Sequence, residues 1–145
     1  LSFQIDPLRD QKTGFYCDQR DTRYLIRRFV KGKKVLDGYC YSGGFTLNAL
    51  LGGAASVTSI DSSESAIARL RTNVELNSEL IQQVTGNDIK HSVNAIEGDF
   101  TETVRKLIDA KTFFDLVICD PPKLAPNHDS LHRAKSKYVF INSVA

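Results

Sequence analysis

The stretch Val35 to Leu51, VLDGYCYSGGFTLNALL, runs a strand, a glycine turn and a helix together without a break, and few folds accommodate that order. Val35 and Leu36 lead into Asp37, and Ser42, Gly43 and Gly44 make the turn. Phe45, Leu47, Ala49, Leu50 and Leu51 are helix formers that Gly52 and Gly53 stop. Glycine in such a turn admits backbone angles other residues avoid and lets the main chain approach a ligand with no side chain between. The helix offers its unpaired N–H groups and positive dipole end to whatever lies there. This predicts a nucleotide-type ligand site at the carboxyl end of the first strand of an open α/β sheet. Tyr39 and Cys40 stand where a dinucleotide fingerprint would place glycine, which disfavours a hydride-transfer cofactor. A tight connection inside any α/β protein is the plain alternative.

The flanking residues extend the pattern. Leu1 to Asp6 alternates, with Leu1, Phe3 and Ile5 on one face, and Phe15-Tyr16-Cys17 reads as a second short strand. Residues 1–17 are therefore expected to form a β-hairpin ahead of a main domain at 18–145. From Asp18 the pattern is helical, with Leu25, Ile26, Phe29 and Val30 on one side and Arg20, Arg23, Arg27 and Arg28 elsewhere. Ser56 to Ile60 is a second strand ending at Asp61. That acid sits where α/β nucleotide sites bind ribose hydroxyls, and with Glu64 it also fits a capping box for the next helix. Residues 80–91 read as a polar connection turning at Gly86-Asn87-Asp88. Val93 to Ile96 is a third strand running into Glu97-Gly98-Asp99-Phe100, with Thr101 as a candidate helix cap. Phe114 to Cys119 is a near-continuous apolar run, expected of a strand covered on both faces, and it ends in Asp120-Pro121-Pro122-Lys123. The two prolines stiffen that loop and leave its carbonyls free for a ligand.

Four strands thus end in Asp37, Asp61, Asp99 and Asp120. Right-handed crossovers would bring all four carboxylates and the glycine turn to one edge. Acids around a crevice repel a pyrophosphate but attract a cofactor that carries a sulfonium, an ammonium and a ribose diol. S-adenosylmethionine has those groups.

Composition narrows the setting. The 145 residues suit one domain, at 41% hydrophobic and 25% charged. No apolar run approaches the ~20 residues of a membrane helix, so no membrane association is expected. Cys17, Cys40 and Cys119 are odd in number and lack C-x-x-C spacing, which points to a reducing, cytoplasmic compartment with neither disulfide nor zinc. His128 and His132 are four apart, but with His91 they find no cysteine or carboxylate to complete a metal set, and none is expected. Residues 1–34 carry nine Lys/Arg against four Asp, and residues 35–122 carry six against twelve acids. Residues 123–145 carry four against Asp129. Basic ends folded toward the crevice would make a rim for a polyanion such as RNA; solvated surface lysines are the bland alternative.

At these residues the chain resembles the class I S-adenosylmethionine-dependent methyltransferases. It is more closely similar to the ribosomal RNA large-subunit methyltransferase I family, whose members methylate carbon 5 of a cytosine in 23S rRNA. The matching stretches are Lys12-Thr13-Gly14-Phe15-Tyr16 with Asp18-Gln19-Arg20, Val35 to Phe45, Val57 to Ser62, Glu97 to Phe100, and Phe114 to Lys123. The resemblance implies a Rossmann-like sheet of parallel strands one to four with flanking helices, the later strands missing, preceded by the short hairpin. It implies that Gly43, Gly44 and Phe45 hold the methionine end of S-adenosylmethionine, with Asp37 near the ammonium and Tyr39 against its body. Asp61 and Ser62 would take the ribose, and Asp99 and Phe100 the adenine. Asp120, Pro121, Pro122 and Lys123 would line the pocket between methyl donor and target base, completed by Gln19 and Arg20.

Carbon 5 of cytosine is a poor nucleophile, so enzymes of this kind add a cysteine thiolate to carbon 6. In the family that cysteine lies on a later strand, beyond Ala145, and Cys17, Cys40 and Cys119 are poor substitutes. The 145 residues alone are therefore expected to bind cofactor weakly, to show no turnover, and to expose a sheet edge through which copies could associate. Two rivals remain open. An amino-group methyltransferase acting on adenine or a protein amide would share D-P-P, although an aromatic usually follows where Lys123 stands. A noncatalytic module could keep the fold to bind RNA or a partner.

Overall fold

The chain order in the computed structural model is α1 (Arg20–Ile26), β1 (Lys34–Gly38), α2 (Gly44–Leu51), β2 (Ser56–Asp61), α3 (Glu64–Leu76) and α4 (Ser78–Thr85). There follow β3 (Val93–Glu97), α5 (Phe100–Asp109), β4 (Leu116–Cys119) and α6 (Leu131–Val144). The structure describes residues 1–5, 16–87, 89, 92–122 and 131–144, with the backbone alone at 131–134, 137 and 144.

The four strands form one sheet in the order β3-β2-β1-β4, and every pair is parallel. All carboxyl ends therefore point to one edge. The chain steps outward from β1 through β2 to β3 and then returns to the other side of β1 for β4. α2, which follows β1, packs on one face of the sheet and α6, which follows β4, on the other, and open α/β sheets take their ligands at the carboxyl edge above such a pair.

Both faces of the central strands are covered, as a parallel sheet requires. Val35 and Val57 pack with Leu47, Leu50 and Ile81 of α2 and α4, while Leu36 and Ile60 pack with Phe100, Val104 and Ile141 of α5 and α6. Val35, Leu47, Val57, Ile60, Ile81 and Ile141 are wholly buried. Each such side chain contributes ~1.5–3 kcal/mol by leaving water. β4 is half-buried rather than covered on both faces, because it lies at the edge of the sheet and pairs with β1 alone among the described residues. No helix among the described residues is long and apolar enough to cross a membrane.

Several local expectations give way. Leu1–Ile5 forms no strand. Its main chain is taken up by α3 instead, with Ser2 N–H donating to Asn77 Oδ1 at 2.8 Å and Gln4 N–H to Asn73 Oδ1 at 2.7 Å. Tyr16 and Cys17, the described end of the expected hairpin, are in no strand either, and residues 6–15 lie outside the described residues. The first helix ends at Ile26, so its inner face is not the apolar set named above. Leu25 and Phe29 are exposed, and Arg23 lies buried with Ile26 and Val30 toward the core. The stretch 80–91 contains the end of α4, a short helix whose one buried residue is Ile81. Ser63, not Asp61, caps α3 by accepting from Ala66 N–H, and Asp99, not Thr101, caps α5 by accepting from Thr101 and Glu102 N–H.

Candidate active site at the carboxyl edge of the sheet

Between β1 and α2 the chain makes a turn whose backbone is held under strain. Tyr39 and Tyr41 have φ of 61° and 48°, and Gly43 has 88°. Two non-glycine residues in the left-handed region cost of order 1–3 kcal/mol each and persist only where surrounding bonds impose them. Those bonds are present. Cys40 N–H donates to the Ile60 carbonyl (3.0 Å), Tyr41 N–H to Asp61 Oδ2 (2.9 Å), Gly43 N–H to the Cys40 carbonyl (2.9 Å), and Asn73 Nδ2 to the Ser42 carbonyl (2.9 Å).

At both glycines of this turn the direction a side chain would take is already filled by packing. Gly43 and Gly44 are buried. A Cβ on Gly43 would meet Leu70 Cγ at 3.0 Å, and one on Gly44 would meet Arg23 Nε at 2.8 Å. Phe45 is likewise buried, beneath the Arg23 guanidinium at 5.4 Å. Past the end of β1 the half-buried ring of Tyr39 lies tilted against buried Phe100, with centroids 5.0 Å apart. A Cβ on Gly38 would lie 2.3 Å from Phe100 Cε2, so glycine there lets the Phe100 ring close over the end of β1.

Asp61, half-buried at the end of β2, accepts Tyr41 N–H on one oxygen and Ser63 N–H, at 3.0 Å, on the other. A carboxylate offers about four lone-pair sites, so each oxygen keeps capacity for a further donor. Ser62 is exposed next to it. Asp99 spends Oδ1 on capping α5, with the Thr101 hydroxyl at 2.5 Å. Asp120 and Pro122 are exposed and Pro121 is half-buried, whereas Lys123 lies outside the described residues. Gln19 is half-buried at the N-cap of α1, and Arg20 is exposed, 3.4 Å from Asp21.

Asp37 stands apart from the other acids because it is 1% exposed. Oδ2 accepts the Thr46 hydroxyl at 2.6 Å, which in turn lies 2.8 Å from Ser59 Oγ, while Oδ1 has no hydrogen-bond partner among the described residues. Burial pushes its carboxyl from the ordinary 3.8 up to about 7, against the opposing pull of Thr46 and Arg23. Arg23 was missed by sequence reasoning. Burial lowers its guanidinium, while Asp18, Asp120 and Asp37 hold it charged. Its signal was its place on the stripe of Ile26 and Val30, three and seven residues on, which marked a cation on an inward face.

The comparisons bear on this geometry directly. A family model described as S-adenosylmethionine-dependent methyltransferase matches residues 1–137. The chain belongs to that family. It is 40% identical over its full length to the ribosomal RNA large subunit methyltransferase I of Shewanella denitrificans, and 39% identical to that of Klebsiella pneumoniae. In each case it covers 34% of that protein, so the chain spans about a third of the length of the curated relatives it matches. A Pyrococcus abyssi tRNA (uracil-54, C5)-methyltransferase in complex with S-adenosyl-L-homocysteine superposes with a TM-score of 0.59 at 26% identity. That match covers 92% of this chain and 30% of the other.

For a methyltransferase, the states of the thiols and of Asp37 matter. Cys40 is buried, and burial pushes its thiol far up, with Asp37 and Asp61 adding to the effect. Cys119 is raised by burial and then by Asp120. Both stay protonated at neutral pH and are poor nucleophiles. Cys17 is exposed, outside the turn.

The raised Asp37 carboxyl makes stability depend on pH. The folded protein holds a proton on Asp37 that the unfolded chain releases near 3.8, so this contribution is complete below about 4 and lost as pH climbs to about 7. Melting temperatures across that window are expected to decline in the native protein. Asp37→Asn should flatten the Asp37 contribution, worth ~4 kcal/mol at most. Parallel curves for the two proteins would show that Asp37 is ionised throughout.

Proposed function

We propose that this chain is the cofactor-binding part of an RNA methyltransferase that transfers a methyl group from S-adenosylmethionine to carbon 5 of a cytosine in large-subunit ribosomal RNA, in the cytoplasm. The observation that carries this reading is the carboxylate of Asp61, presented at a parallel sheet's carboxyl edge beside a clamped turn, in a chain whose relatives are named for ribosomal RNA.

The residues fit the cofactor. Asp61, with lone pairs to spare, would accept the ribose hydroxyls, and Ser62 lies beside it. Tyr39 and Phe100 offer an aromatic wall, with Asp99 at its rim. Asp120 supplies negative potential, and Asp37 adds to it only as its raised carboxyl ionises toward pH 7, both offset by the Arg23 guanidinium. Gly43, Gly44 and Phe45 would act through the main chain of the turn, since their side-chain directions are already filled. When bound, S-adenosylmethionine supplies an electrophilic methyl group. Pro121, Pro122 and Lys123, with Gln19 and Arg20, would flank the target base, which must leave its stack to reach the pocket.

The test is a methyl-transfer assay with the intact protein, S-adenosylmethionine labelled in its methyl group, and large-subunit ribosomal RNA lacking its own modifications. Label recovered as 5-methylcytosine is the expected result. Label on an exocyclic amine would replace this reading with the amino-group alternative. Cofactor binding without transfer to any RNA would favour the binding module.

A further inference from the structure

We infer that Asn73 is a positioning residue for the cofactor turn, tying the Ser42 carbonyl to the amino-terminal segment across α3. The inference rests on the reading of that turn as the cofactor's seat. Asn73 is 0% exposed, and its two amide atoms point in opposite directions. Oδ1 accepts Gln4 N–H at 2.7 Å, and Nδ2 donates to the Ser42 carbonyl at 2.9 Å. The amide's orientation follows from its partners, because a main-chain N–H must meet the oxygen and a carbonyl must meet the nitrogen.

One turn further on, at the junction of α3 and α4, Asn77 is 2% exposed and makes a matching pair with Ser2. Ser2 N–H donates to Oδ1 at 2.8 Å, and Nδ2 donates to the Ser2 carbonyl at 2.7 Å and to the Asn73 carbonyl at 2.7 Å. Two asparagine side chains thus do for residues 2–4 what a neighbouring strand would do in a sheet. Phe3 anchors the same segment against the core that holds Leu47 and Ile81. The two amides differ in one respect. Among the described residues the Asn77 amide reaches Ser2 and the Asn73 carbonyl, whereas the Asn73 amide also reaches the turn.

That difference decides what each can do. The turn holds Tyr39 and Tyr41 at positive φ, a conformation that lasts only while its main-chain groups are held from outside. Asp61 holds Tyr41 N–H from β2, and Asn73 holds the Ser42 carbonyl from α3. Releasing the second clamp lets residues 41–43 relax and tilts the main chain on which the cofactor is seated. Asn77 can be lost without that consequence.

The experiment compares Asn73→Asp with Asn77→Ala in the intact protein. Asn73→Asp keeps the acceptor for Gln4 N–H and removes the donor to Ser42. We expect it to weaken S-adenosylhomocysteine binding about tenfold by calorimetry, and to speed amide hydrogen exchange at Tyr41 to Gly43. Asn77→Ala should lower the melting temperature while leaving both readouts within about twofold. If Asn73→Asp does not fold, Asn73→Ala carries the same comparison, since it also removes the donor and buries no charge. Equal effects of the two positions on affinity, or unchanged exchange in the turn of the Asn73 variant, would overturn the inference. Failure of the native protein to bind S-adenosylhomocysteine would instead overturn the reading of the turn as a cofactor seat.

Discussion

Asp61→Ala is expected to weaken S-adenosylhomocysteine binding by about two to four orders of magnitude, the effect of losing two hydrogen bonds to a charged acceptor at ~1.5–3 kcal/mol each. The same change frees Tyr41 N–H and Ser63 N–H, so part of the loss would come from the turn rather than from the ribose. A cycle with the 2′-deoxy analogue of the ligand separates the two. In the native protein, removing the ribose hydroxyl should cost affinity; in Asp61→Ala it should cost little more. Additive losses would mean that Asp61 acts only by shaping the turn, and equal affinity of the native and variant proteins would remove it from the site.

Gly38→Val should be the most destabilising single change near the crevice. The added Cβ alone would sit 2.3 Å from Phe100 Cε2 and 2.7 Å from Cδ2, and Phe100 is 2% exposed, so its ring has no free space to enter. Gly38 is paired on both sides, with Ile60 of β2 and Cys119 of β4, so the backbone cannot yield either. Overpacking of this kind costs ~1–3 kcal/mol, and the branched side chain puts valine at the upper end. Urea unfolding should show a lower midpoint at unchanged slope. Phe100→Leu in the same chain should recover part of the loss, because it removes ring atoms that clash. A midpoint equal to that of the native protein would mean that the ring moves aside at little cost. Since Tyr39 packs against Phe100, the variant should weaken cofactor binding as well.

Reading the chain residue by residue succeeded where one short stretch holds all the physics. The β-branched run Ser56 to Ile60 with Asp61 after it is a strand and its polar end, and it occupies Ser56–Asp61 in the fold. Arg23 shows the opposite case. It was set off the apolar side of its helix, nothing local says what a buried guanidinium would meet, and the groups that act on it, Asp18, Asp37 and Asp120, come from α1's lead-in, β1 and the end of β4. α4 was overlooked although Leu80, Ile81 and Val84 recur at helical spacing, because the helix is only eight residues long and runs straight into Gly86-Asn87-Asp88, which reads as a turn. The caps at Ser63 and Asp99 each displaced a neighbour that was equally plausible by type, since a cap is chosen by backbone angles that composition does not encode.

The sequence alone was enough to establish an α/β chain whose strands run into acids, because strand, turn and helix signals are local and repeat along the chain, and its motifs carried the resemblance to the S-adenosylmethionine-dependent methyltransferase family. The burial of Asp37 against Thr46 and Ser59, the filling of the glycine turn by Leu70 and Arg23, and the bridge from Gln4 through Asn73 to Ser42 were decided only by the tertiary structure. Each joins residues from separate elements, and the strength of a buried hydrogen bond or the room for a Cβ depends on what the folded chain brings within a few ångströms.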